Sequence, residues 1–276
     1  ATLTYNGQTT TSNVTVGELT ETLTAAKTAV VPTYGTDGRV TYILSLVNSG
    51  TAPLTGLTIT DDLGGYTFNA GTVYPLSYTA GSVRYYQNGV LQAAPAVTAG
   101  PPLTVTGLTV PAGGSAVLIY ETTATPVAPL ATGSSITNTA TITGGGLTNP
   151  ITAQATVETA NSADLTISKA LSPTTVTENG QITYTFVISN TGNTEATAAD
   201  NVIVTDTFDP ILRNIAVTYN GTAWTEGTNY TYNAATGVFT TLAGQITVPA
   251  ASFTQNTDGT FTVTPGTATL VITGTV

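Results

Sequence analysis

The chain has 276 residues, 41% of them hydrophobic, which is enough for two domains of ordinary size, each with its own core. Its formal charge is −10, only 7% of residues are charged, and Cys, His and Met are absent. That excludes a disulfide framework, a thiolate or imidazole metal site and the commonest general base, and it argues against nucleic acid and anionic membrane as partners. No apolar run reaches the length of a bilayer span, so no membrane insertion is expected. Ala1 in place of Met points to N-terminal processing. Abundant Thr and few helix formers predict an all-β protein.

In chain order, residues 1–7 read as a strand with Ala1, Leu3 and Tyr5 on one face and Thr2 and Thr4 on the other. A polar turn leads to a second strand containing Val14 and Val16. The next segments occur twice. Residues 23–27 parallel 165–169, and residues 40–50 parallel 182–192 at the same interval, which fixes the register. Residues 57–61 then match 202–206, and an Asn-Gly turn at Asn88-Gly89 matches Asn220-Gly221. Residues 111–119 correspond to 265–272. Period-two alternation, with turn signals every eight to twelve residues or so, predicts two tandem immunoglobulin-like β-sandwiches. The expected boundaries are an arm at 1–22, a first sandwich at 23–160 and a second at 161–276. In the first sandwich, residues 140–146 and 151–157 form a closing hairpin that resembles residues 1–16. The second reaches Val276 without one.

Lys169, the stretch 182–192 (QITYTFVISNTG, with the preceding Gln181) and VIVTDTF at 202–208 resemble a bacterial and archaeal surface-protein repeat, the conserved domain of unknown function eleven. VTYILSLVNSG, LTITDDL and SITNTATITGG carry the same resemblance through the first copy. The resemblance implies an Ig-like module of cell-surface or spore-surface proteins that acts as stalk, adhesin or fibre subunit without enzyme activity or cofactor. Two-domain chains of this kind also resemble spore-appendage proteins of clostridia. It further implies that a Lys of the first strand can bond to an Asn of the last strand beside an acidic residue, here Lys27, Asp61 and Asn138. An ordinary ion pair remains open for the same residues.

A sandwich without its closing hairpin leaves an open edge that another chain can fill. The expected function is therefore a filament subunit polymerising head-to-tail with identical subunits at an extracellular, cell or spore surface. Ala1, Leu3, Tyr5, Val14 and Val16 would be donors, and Leu270 and Ile272 the acceptor edge. Self-complementation by the arm is a second possibility. The alternative function is an adhesin or stalk module recognising a glycan or protein, with Tyr85, Tyr86, Trp224, Tyr230 and Tyr232 as an aromatic platform. Asp61, Asp62, Asp206 and Asp209 read as solvated turn carboxylates or a calcium site.

Overall fold

A computed structural model describes residues 1–15 and 22–276. The principal strands, numbered in chain order, begin with β1 (Thr2–Tyr5) and β2 (Gln8–Thr11), an antiparallel pair that forms a sheet of its own.

The first sandwich contains β3 (Leu23–Ala29), β4 (Arg39–Asn48), β5 (Leu54–Asp61), β6 (Arg84–Gln87), β7 (Leu103–Val110), β8 (Ser115–Ala124), β9 (Ser135–Gly144) and β10 (Ile151–Thr159). One sheet runs β6-β8-β4-β3, and the other runs β7-β5-β9-β10. Alternation sets the inner faces. Val40, Tyr42, Leu44 and Leu46 of β4 point into the same core as Leu57 and Ile59 of β5 and Ala140 and Ile142 of β9.

The second sandwich is built from β11 (Leu165–Ser172), β12 (Gln181–Asn190), β13 (Thr205–Thr207), β14 (Arg213–Tyr219), β15 (Val238–Thr241) and β16 (Gly266–Thr275). Its larger sheet runs β11-β12-β16-β14, and its smaller sheet places β13 beside β15. The core gathers Tyr184, Phe186, Ile188, Phe208, Phe239, Leu270 and Ile272. The repeated sequence thus folds twice in the same way. Asn48 and Asn190 show it locally: each is buried, its side chain accepts from the backbone N–H of Gly50 or Gly192, and each donates to the carbonyl of Ala52 or Thr194.

A hairpin of residues 252–264 reaches from the second sandwich to the first. Gln255 Nε2 donates to the Tyr66 hydroxyl at 2.7 Å, and Phe261 N donates to Pro126 O at 3.1 Å.

Candidate functional site

Lys27 lies in the middle of β3 and Asp61 ends β5 in the facing sheet, and strand alternation turns both inward. Lys27 Nζ donates to Asp61 Oδ2 at 2.6 Å, with the two side chains 0% and 1% exposed. Asp61 Oδ2 also accepts from the Tyr120 hydroxyl, and Oδ1 accepts from Leu63 N. The ammonium stands 4.7 Å above the Tyr42 ring, which stacks on Tyr120. Burial lowers the Lys27 pKa against the opposing pull of Asp61, and burial raises the Tyr120 hydroxyl well above its usual range.

Asn138 completes this cluster. It lies on β9 two residues from Ala140, the partner of Asp61 across the strands, so its side chain shares the Asp61 face. Asn138 is fully buried, and neither its amide nitrogen nor its amide oxygen has a hydrogen-bond partner. It is close enough to the Tyr42 and Tyr120 hydroxyls to moderate their upward pKa shifts, yet forms no well-aligned bond with them. Each unsatisfied buried group costs about 1–3 kcal/mol. The site therefore holds an amine, a carboxylate and an unpaired carboxamide in a dry core.

The second sandwich repeats half of this arrangement. Lys169 Nζ donates to Asp206 Oδ2 at 2.5 Å and lies 4.7 Å over the Tyr184 ring, as Lys27 lies over Tyr42. Here the Lys and Asp side chains are 39% and 19% exposed. The difference is a missing cover. In the first sandwich β10, with Ala153, Ala155 and Val157 buried, packs over β3. Among the described residues no strand packs over β11 in that way, and its Ile167, at the position of Ala25, is 55% exposed. β5 is paired on both sides, by β7 and β9, whereas β13 pairs only with β15.

The open edge is accordingly not the one expected from the sequence. Leu270 and Ile272 are fully buried on β16, which is a central strand hydrogen-bonded to β12 on one side and β14 on the other. Buried alternation looks the same on a central strand and on an inward-facing edge, which is why the sequence misplaced it. The free edge belongs to β13 and the residues before it.

The β1–β2 hairpin is held by its own contacts. Thr2 faces Thr11 and Tyr5 faces Gln8 around an Asn6-Gly7 turn with positive φ at both residues. Ala1, Leu3, Tyr5 and Val14 are exposed, Leu3 at 65% and Val14 at 87%. Val16 lies outside the described residues. The hairpin's hydrogen bonds run within itself, including Ser12 N to Ala1 O at 2.8 Å, so self-complementation is not the conformation observed.

Asp61 is a buried core residue, not the solvated turn carboxylate expected, and Asp62 caps the following turn by accepting from Gly64 N and Thr139 N. Among the described residues no group of acidic side chains is arranged to hold a metal ion, and no helix is long and apolar enough to cross a membrane. Tyr85 is buried and bonded to Thr109, while Trp224 stacks on Tyr219 at 4.8 Å, so these aromatics pack the sandwiches. Tyr42 and Tyr120 were not singled out by sequence reasoning. Their signal was an aromatic hydroxyl at an inward position of β4, the neighbour of the Lys strand, and of β8, the next strand in the sheet.

No family model matches the chain, and no curated protein matches it. Among solved structures it is similar to BcpA, the major pilin subunit of Bacillus cereus, at 13% identity and TM-score 0.35, covering 90% of this chain and 66% of that one. It is similar to the major pilin SpaD of Corynebacterium diphtheriae at 14% identity and TM-score 0.37, covering 88% of this chain and 59% of that one. It is also similar to a family 123 glycoside hydrolase from Clostridium perfringens at 10% identity and TM-score 0.33, covering 51% of this chain and 28% of that one. The chain thus spans less than two thirds of each of these proteins.

Proposed function

We propose that the protein is a structural subunit of an extracellular filament on a cell or spore surface, in which residues 1–16 of one copy cover the second sandwich of the next. The observation that carries this reading is the mismatch of covers. In the first sandwich the β9–β10 hairpin covers β3 and pairs one edge of β5, while among the described residues the equivalent face and edge of the second are bare. The β1–β2 hairpin presents Leu3 and Tyr5 exposed at the same period, with nothing packed on them among the described residues.

Register follows from the repeat. Ala140 stands opposite Asp61, Thr141 opposite Thr60 and Ile142 opposite Ile59. Transferred to the second sandwich, this sets Ala1 opposite Asp206, Thr2 opposite Thr205 and Leu3 opposite Val204. Leu3 then fills the slot that Ile142 fills in the first core, and Val14 takes that of Ala155. Main-chain hydrogen bonds supply affinity and the alternate side chains supply register. Donor and acceptor are different surfaces, so the contact propagates instead of closing.

Removing residues 1–16 and imaging the purified protein by negative-stain microscopy tests the proposal. Filaments should vanish while the circular dichroism of both sandwiches persists. Filaments of unchanged abundance from the truncated protein would refute the donor role.

A further inference from the structure

The chain has four Asn-Gly pairs, Asn6-Gly7, Asn88-Gly89, Asn179-Gly180 and Asn220-Gly221, and each Asn has positive φ. Such a pair is chemically labile, because Gly has no Cβ to shield its backbone nitrogen from the carboxamide before it. Three of the four are held by their surroundings. Asn88 follows β6 and Asn220 follows β14; their Oδ1 atoms accept from Ser115 N and Thr269 N, both at 2.8 Å, on the adjacent strands β8 and β16. Each also donates its own backbone N–H to the carbonyl of that same residue. Asn179 N donates to Val276 O at 2.9 Å, and Gly180 N, the atom that would have to attack, donates to Thr177 O at 2.8 Å.

Asn6 has no such restraint. Its hairpin, β1–β2, is a two-stranded sheet by itself, and an isolated hairpin is marginally stable in water. Leu3 and Tyr5 are exposed, so no apolar packing holds it shut. Among the described residues the side-chain bonds of this segment join Ala1 to Ser12, Thr4 to Thr9 and Ser12 to Asn13, and none engages Asn6.

We infer that Asn6 is a site of spontaneous deamidation, a conversion that the other three Asn-Gly pairs resist in the folded protein. When the hairpin opens, Gly7 N gives up its proton to water or hydroxide and attacks Cγ of Asn6. The Cγ–Nδ2 bond breaks, and Nδ2 takes a proton from water and leaves as ammonia, which closes a five-membered imide. Water then adds to one of the two imide carbonyls and that ring C–N bond breaks, giving aspartate or isoaspartate. One water is consumed and one ammonia released, with no change in oxidation state. Either product places a carboxylate in the two-residue turn that sets Tyr5 against Gln8, and isoaspartate adds a backbone carbon there. Under the donor role proposed above this change falls on the docking segment, but the modification does not depend on that role.

Peptide mapping of the folded, full-length protein held in mildly alkaline buffer tests the inference, since the Asn6 peptide gains a negative charge and splits into aspartyl and isoaspartyl forms. Asn6 should convert at least about tenfold faster than any of the other three, the ratio that about 1.4 kcal/mol of extra opening cost gives. In urea, where no turn is held, all four should convert at comparable rates. A folded protein in which Asn6 stays intact, or converts no faster than Asn88, Asn179 and Asn220, would overturn the inference. The same ratio persisting in urea would overturn it equally, because the selectivity would then lie in the neighbouring residues and not in the fold.

Discussion

Lys27 and Lys169 occupy one position of a repeated strand, pair with one position of a repeated carboxylate and lie over equivalent tyrosines, yet one is sealed and the other is in contact with solvent. The strands that bear them are not responsible. What differs is the cover: β9 and β10 close the first sandwich and supply Asn138, and among the described residues nothing equivalent covers the second. A closing hairpin therefore does two jobs in this fold. It buries the inner face of the first strand, and it turns a solvated ion pair into a desolvated one.

The largest contrast is expected in assembly. Ile167→Asp places a charge on the uncovered face and should abolish filaments in negative stain while changing the melting of unassembled protein by less than about 0.5 kcal/mol, as surface substitutions do. Survival of filaments would mean that this face stays uncovered in the polymer. Next comes the carboxylate pair. Asp61→Ala strands a buried ammonium and should cost about 3–5 kcal/mol in denaturant titration, whereas Asp206→Ala in unassembled protein should cost no more than about 1 kcal/mol. Equal losses would show that the two sites share one environment.

Tyr120→Phe removes the hydroxyl from Asp61 and should destabilise the first sandwich by about 1.5–3 kcal/mol, the range for a hydrogen bond to a charged group. The smallest effect should come from Gln255→Ala, which deletes the bond to Tyr66 and should cost about 0.5–1.5 kcal/mol without altering either core.

The pH response should also divide the sandwiches. Tyr34 is pushed up to about 12 by burial, and Tyr42 and Tyr120 are raised by the same cause, all in the first sandwich. Groups whose folded pKa is raised stabilise fully below the unfolded value of about 10 and lose that contribution as pH climbs towards the folded value. Burial raises Tyr66 of the same sandwich as well, and Lys27, with a lowered pKa, works in the opposite sense over the range below its ordinary value, one group against four. In the second sandwich Tyr219, Tyr230 and Tyr232 are raised from more solvated positions. Hydrogen exchange above pH 10 should therefore show the first sandwich losing protection over a wider fall than the second.

Much of this was legible in the sequence. Alternation and turn residues marked the strands of both copies, because one-sided burial writes a period of two into any antiparallel sandwich. Lys27 and Asp61 could be matched by position to Lys169 and Asp206, since a fixed interval within a repeat is a register, whereas Asn138 was indicated only by the family resemblance. Which edge is open could not be read. Pairing of β14 against β16 depends on residues 213–219 crossing to that sheet, and nothing in their alternation names the neighbour they choose. Nor was the depth of Asp61 legible: a carboxylate in an Asp-Asp pair at a strand end reads as solvated until it is seen to face Lys27 and Tyr120 of the opposite sheet.

The chain's lack of cysteine allows the proposed joint between subunits to be probed cleanly. Thr2→Cys combined with Thr205→Cys places thiols on the outer face at directly opposed positions, as Thr141 and Thr60 are opposed in the first sandwich. That pair spacing, about 5.5 Å between Cα atoms, suits a disulfide. Mild oxidation of assembled protein should give a ladder of covalent multimers on non-reducing gels, while Thr2→Cys with Thr60→Cys should give none because β9 already occupies that edge. A monomer band alone from the first pair, or ladders of equal strength from both, would contradict the completion of the second sandwich by the neighbouring subunit's hairpin.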